Sequence, residues 1–185
     1  MEVVGRAGYK LSNAIKAFGI DLHGKTVLDI GSSTGGFTQC ALENGAEHVI
    51  AVEKGTNQMK APLRFDQRVE LYEKMDIFDF HCMPPDLIMA DVSFVSLRKV
   101  LQYAAKELAD SHTEYLVMLK PQFEAKKHQL KDGVVKNSKM RREIIAEFEF
   151  WLKKNKFIVV RKRDNELAGR FGNVERFYYL REAAK

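Results

Sequence analysis

The stretch LDIGSSTGGF at residues 28–37 constrains this chain more than any other. It joins a short apolar run, TVLDI at 26–30, to an amphipathic segment that opens at Gly36. A strand that enters a helix through a glycine-rich turn is the first half of a right-handed β-α-β crossover, so the chain is committed to a largely parallel α/β sheet. The turn nearly fits three familiar site motifs. As a phosphate loop it has Phe37 where the lysine belongs. As a nucleophile elbow it offers Ser33 as the attacking group. As a dinucleotide fingerprint it fails, because Ser33 holds the place of the second glycine.

The rest of the chain agrees with the α/β reading. Apolar runs of strand length fall at 26–30, 48–52, 68–72, 86–90, 115–119, 157–160 and 174–180, and helical periodicity at 9–18, 36–44, 97–108 and 138–155. Gly19, Asn44-Gly45 and Asn155 supply the helix stops. Seven strands, with helices between the first six, predict a doubly wound sheet with helices on both faces. The connection 163–173 is too short for a helical crossover, so the last strand should run antiparallel beside the sixth. With 185 residues, residues 1–185 are expected to form a single domain.

Hydrophobic residues at 45% and charged residues at 30% describe a water-soluble globule. No apolar run approaches the ~20 residues that cross a bilayer, so no membrane partner is expected. Cys40 and Cys82 form neither a disulfide framework nor a metal-ligand spacing, and no leader pattern stands at the start, so a reducing cytoplasm fits. The net charge of +5 favours polyanionic partners. Its distribution says more. Lys120, Lys126, Lys127, Lys131, Lys136, Lys139, Arg141 and Arg142 are opposed in their own segment only by Glu124 and Asp132. That run reads equally as a solvated helix face or as a nucleic-acid footprint. Arg161-Lys162-Arg163 reads as the guard of a sheet edge.

Context then selects among the readings of the turn. Without its lysine a phosphate loop cannot reach terminal phosphates, and a hydrolase would need a histidine for Ser33, for which His112 and His128 have no convincing acidic partner. A fourth reading, an S-adenosyl-L-methionine loop, accounts for more residues. Gly31, Gly35 and Gly36 allow close backbone approach, with Ser32, Ser33, Thr34 and Phe37 completing the loop, and the helix amino terminus offers N–H groups to the methionine carboxylate. Asp29 can hold the ligand ammonium, Glu53 the ribose hydroxyls and Asp76 the adenine amino group, each from a strand end. Taken singly, each acid reads as a surface charge, and Asp29 also as a helix cap.

Asp91 after the fourth run, Lys120 after the fifth and Glu175 at the opening of the last all fall on the same predicted edge, with Asp91 belonging to the ligand site as well. Lys10 can fold over that edge from the amino-terminal helix. Two lysines interleaved with two carboxylates form a charge-balanced cluster that can position Lys120, which in its neutral form can act as general base for a ribose 2′-hydroxyl; the second lysine and burial favour that form, and the carboxylates oppose it. Singly, these residues read as caps and surface charges. An alternative to catalysis is a non-catalytic RNA- or ribosome-binding module that keeps the fold.

The segments GYKL, VLDIGSSTGGFT, PDLIMADVSFVSL, LKPQFEA, DGVV and GNVE, spread over nearly the whole chain in order, resemble the TlyA or hemolysin-A-like branch of the FtsJ-type ribose methyltransferases. The resemblance implies a Rossmann-like methyltransferase fold and S-adenosyl-L-methionine as methyl donor. It also implies a catalytic tetrad carried by Lys10, Asp91, Lys120 and Glu175, and 2′-O-methylation of ribosomal RNA, free or in a ribosomal subunit. Such proteins usually begin with a small RNA-binding module, whereas this sequence opens directly at MEVVGRAGYKL.

Overall fold

The computed structural model of the chain describes residues 5–166, 169 and 172–183. In chain order the elements are α1 (Gly5–Phe18), β1 (Thr26–Ile30), α2 (Gly36–Glu43), β2 (His48–Glu53), α3 (Ala61–Arg64), β3 (Val69–Glu73), β4 (Leu87–Ala90), α4 (Leu97–Glu107), β5 (Glu114–Leu119), α5 (Pro121–Glu124), β6 (Leu130–Lys131), β7 (Val134–Val135), α6 (Ser138–Lys154), β8 (Phe157–Asp164) and β9 (Arg176–Glu182). Seven strands form one sheet in the order β3-β2-β1-β4-β5-β9-β8. The first five are parallel neighbours, and β9 runs antiparallel to both β5 and β8.

The central strands are nearly continuous apolar runs because helices cover both of their faces. Val27 of β1 packs toward α1 and α2, with Leu11, Phe37 and Ala41. Leu28 and Ile30 pack toward α4 and α6, with Val100, Leu101, Phe148 and Leu152. Alternation along a single strand thus feeds two cores, as a doubly wound sheet requires.

Three expectations need correcting. Helices do not separate all of the first six strands: between β2 and β3 there is only the four-residue α3, and between β3 and β4 only a single 3-10 turn, Ile77–Asp79. Pro84-Pro85 end that second connection, in which Ile77, Phe80 and Pro85 are buried. Strand β8 is longer than its apolar part, because an irregularity between Val159 and Arg161 lets pairing continue through Arg161-Lys162-Arg163 to Asp164. This charged run lies on the outermost strand, as an edge guard should. Finally, β6 and β7 form a small separate hairpin that periodicity did not suggest. Its turn, Asp132-Gly133, takes φ of 51° and 77°, the left-handed pair that a two-residue hairpin demands.

Candidate active site

Strand order reverses beside β1, and the carboxyl ends of β1, β2 and β4 there border a hollow of about 550 Å³. Its wall includes Gly31 and Ser33 from the loop after β1, Glu53 at the end of β2, and Asp76 beyond β3. Asp91, Ser93 and Phe94 beyond β4 complete it, and Met75, Ile77, Phe78 and Val95 give it an apolar side. Volume and lining suit a nucleoside-sized ligand.

The loop is held open by its own backbone. Gly31 and Ser32 donate their N–H groups to the Val52 carbonyl at 2.9 and 3.2 Å, and Ser33 N–H donates to Glu53 Oε2 at 2.9 Å. Gly31 adopts φ of 81°, and a Cβ there would stand 3.1 Å from the Asp91 carbonyl oxygen, so a side chain is excluded on two grounds. Gly35, at φ of 95°, starts α2, where a Cβ would meet Leu63 at 2.4 Å.

The remaining expected ligand residues divide. Glu53 lines the hollow, with Oε1 accepting from Gly55 N–H at 2.6 Å. Asp76 lines it too, and the Lys54 ammonium 2.7 Å from Oδ2 holds its carboxyl below the usual carboxylate range. Thr34 is exposed, and Gly36 instead borders a crevice between α1 and α2. Phe37 lies in the core, stacked on Phe177 at 6.0 Å, because the first turn of α2 points it inward. Asp29 does not reach the hollow. It is fully buried beneath the loop, and Oδ2 accepts from Thr38 Oγ1 at 2.6 Å, the position of an acid serving the start of α2. Burial pushes its pKa up to about 7 against the Thr38 hydrogen bonds. Asp29 Oδ1 and Ser32 Oγ are buried polar atoms without a hydrogen-bond partner.

The four residues expected to act together do meet at one edge. Asp91, Lys120 and Glu175 each stand one residue outside a strand, β4 ending at Ala90, β5 at Leu119 and β9 starting at Arg176. The β5–β9 ladder pairs Leu119 with Arg176, so Lys120 and Glu175 leave the sheet side by side. Pro121 holds Lys120 extended, at φ of −105° and ψ of 100°. Lys120 Nζ lies 2.6 Å from Asp91 Oδ1, yet its aligned hydrogen bond goes to Ser93 Oγ at 2.8 Å, which leaves Asp91 Oδ1 in ionic contact without a well-angled donor. From α1, Lys10 Nζ reaches Glu175 Oε2 at 2.5 Å, both residues buried. The cluster is therefore two ion pairs in adjacent register, one of which borders the hollow through Asp91.

Several partners in this cluster carry no strong sequence signal. Ser93 is one. Asn165 is another, donating from Nδ2 to Glu175 Oε2 at 3.3 Å. Gly169 is a third, since a Cβ there would stand 2.4 Å from Glu175 Oε1. Phe94, 93% exposed at φ of 65°, stands at the rim with its ring 5.2 Å from that of Phe123. Of the basic run, Lys126, Lys127, Lys131, Lys136, Lys139 and Arg142 are exposed along the β6–β7 hairpin and the start of α6. Arg141 instead turns inward to Asp164 at 2.7 Å and to the Val174 carbonyl. Asn173 ties the hairpin to the approach to Glu175, accepting from Val135 N–H at 3.1 Å.

No helix among the described residues is long and apolar enough to cross a membrane. A model of the family described as FtsJ-like methyltransferase matches residues 3–182. The 23S rRNA (cytidine-2'-O)-methyltransferase TlyA of Campylobacter jejuni is 38% identical over 95% of this chain and 70% of its own length. Hemolysin A of Brachyspira hyodysenteriae is 37% identical over 95% of this chain and 75% of its own length. The solved structure of a Streptococcus thermophilus protein assigned as a candidate hemolysin superposes with a TM-score of 0.93 at 33% identity, covering 100% of this chain and 69% of that one.

Proposed function

This chain belongs to the FtsJ-like methyltransferase family, and on that premise we propose that it transfers a methyl group from S-adenosyl-L-methionine to a ribose 2′-hydroxyl of ribosomal RNA. The residues present fit that donor. A Cβ at Gly31 would crowd the Asp91 carbonyl at the wall of the hollow, the buried Ser32 Oγ and Asp29 Oδ1 lack partners beneath the loop, and Glu53 at the end of β2 and Asp76 beyond β3 line the hollow. Glu53 would hold the ribose hydroxyls and Asp76 the adenine amino group, while Asp29 would act from beneath, by holding the start of α2. When bound, the donor supplies a sulfonium methyl group as electrophile.

The chain's own residues handle the acceptor. Lys120 Nζ would serve as the general base that takes the 2′-hydroxyl proton. Asp91 and Ser93 fix where Nζ points, and the Lys10–Glu175 pair stands beside Lys120 at the same sheet edge. The exposed ring of Phe94 offers a face for a base drawn out of its stack. Ribosomal RNA as acceptor is supported by the names of the relatives and by the exposed cations along the hairpin and α6. The observation that carries the reading is the 2.6 Å approach of Lys120 Nζ to Asp91 Oδ1 at the border of the hollow.

The test is transfer of tritiated methyl to total RNA and ribosomal subunits, alongside calorimetry with S-adenosyl-L-methionine. Lys120→Ala should abolish transfer, by at least about a hundredfold, while donor affinity stays within a few-fold. Undiminished turnover in this variant would remove Lys120 from the reaction.

A further inference from the structure

Asp91 and Ser96 bound the loop between β4 and α4, and Lys120 and Glu124 bound the turn that becomes α5. One carboxylate joins the two segments. The Glu124 side chain is only 3% exposed. Its Oε1 accepts from Leu97 N–H at 2.6 Å and its Oε2 from Ser96 Oγ at 2.8 Å. Ser96 is the residue that opens α4, where it already accepts from Arg98 N–H at 3.3 Å. The helix thus has a cap of its own, and an acid from a turn distant in sequence is more than capping requires.

The surroundings make Glu124 a poor place for a carboxylate kept only for stability. Burial pushes its pKa up, against hydrogen bonds from Ser96 and Leu97 and the nearby charge of Arg98. The Arg98 guanidinium approaches Oε2 to 3.4 Å without an aligned hydrogen bond, and its Nε and Nη2 are themselves buried without partners. Replacing such an arrangement by apolar side chains is often neutral or favourable for a fold. The carboxylate bridges the Asp91-bearing loop to the Lys120-bearing turn with two short hydrogen bonds, beyond the contacts that Lys120 itself makes to Asp91 and Ser93. Phe94 and Phe123, one from each segment, pack together at 5.2 Å beside it.

We propose that Glu124 is a positioning residue, a clamp that sets the placement of Lys120 relative to Asp91 by holding the start of α4 against α5. The inference rests on the reading of Lys120 and Asp91 given above, and extends it to a residue that touches neither ligand nor reacting atoms. Because the clamp acts through reach, it depends on the length and shape of the side chain and not on its charge.

Three variants separate these possibilities in the methyl-transfer assay, with donor affinity measured by calorimetry and folding by thermal melting. Glu124→Gln keeps the length and can accept from Leu97 N–H while donating to Ser96, so kcat should stay within about threefold of the parent. Glu124→Asp keeps the charge but falls short of the helix, and Glu124→Ala removes the bridge. Both should lower kcat by about a hundredfold, with RNA KM and donor affinity changing by less than about fivefold. Adding Ser96→Ala to Glu124→Ala should cost little more, because the two act through one contact. An active Glu124→Asp with an inactive Glu124→Gln would overturn the clamp in favour of a charge effect, and so would parental kcat in all three. If Glu124→Ala fails to fold, the Gln and Asp pair alone decides. Absence of transfer by the parent protein would instead count against the proposed function.

Discussion

Asp29 shows how strongly a single residue's surroundings can set its chemistry. With burial raising its pKa to about 7, it is protonated in the folded chain over a range where the unfolded chain would ionise it. Its contribution to stability is therefore fully present below about pH 4 and lost as pH rises through about 7. Denaturant unfolding of the parent and of Asp29→Asn, at about pH 4 and pH 8, should show a larger fall for the parent, by on the order of 4 kcal/mol. Parallel profiles would place the titration elsewhere. Gly169 makes the opposite point, that a residue without a side chain can govern one that has it. Gly169→Ala would drive a Cβ into Glu175 Oε1 and so prise the carboxylate from Lys10. Its kcat should fall by about tenfold or more with little change in melting temperature, and unaltered kcat would show that the Lys10–Glu175 contact tolerates displacement. The placement of Glu53, Asp91 and Lys120 was legible in the sequence because charged residues at strand ends break an apolar pattern, whereas Lys10 comes from α1 and Asp29 lies beneath the loop. Ser93, Asn165 and Gly169 were not legible, since nothing in a sequence says which serine or glycine will face a carboxylate brought from a distant strand.

Among the elements, the hairpin β6–β7 and the start of α6 carry a group of exposed cations. They lie beside the segment that leads into Glu175, to which Asn173 ties them through Val135 and Gly133. Charge reversal at Lys136, Lys139 and Arg142 should raise the RNA KM and flatten its dependence on salt by about one power for each phosphate that is no longer neutralised, with donor affinity unchanged. If KM and its salt dependence stay at parental values, this face does not meet RNA. The elements themselves were legible wherever periodicity was sustained: β1, α2, α4 and α6 begin where the pattern begins. The hairpin was missed because its strands are two residues long, too short to establish a period, although Asp132-Gly133 is the signature of its turn. The charged end of β8 was missed because edge strands tolerate polar residues that a central strand would not.

At the scale of the whole molecule, the sheet brings the site together. Asp91 and Lys120 come from neighbouring parallel strands, and β9, inserted between β5 and β8, delivers Glu175 to the same edge from the opposite direction. The antiparallel sense of the last strand follows from its short connection, whereas its place between the fifth and sixth strands does not, because strand order depends on long-range packing. The central claim is that this edge carries out methyl transfer to a ribose oxygen. The most direct measurement is to incubate the protein with S-adenosyl-L-methionine carrying a labelled methyl group and unmodified ribosomal subunits, digest the RNA to nucleosides, and identify the labelled product by mass spectrometry. The account predicts label on the ribose, as a 2′-O-methylnucleoside, lost with Lys120→Ala. Label on a base or on protein, or a 2′-O-methylnucleoside formed equally well by that variant, would contradict it.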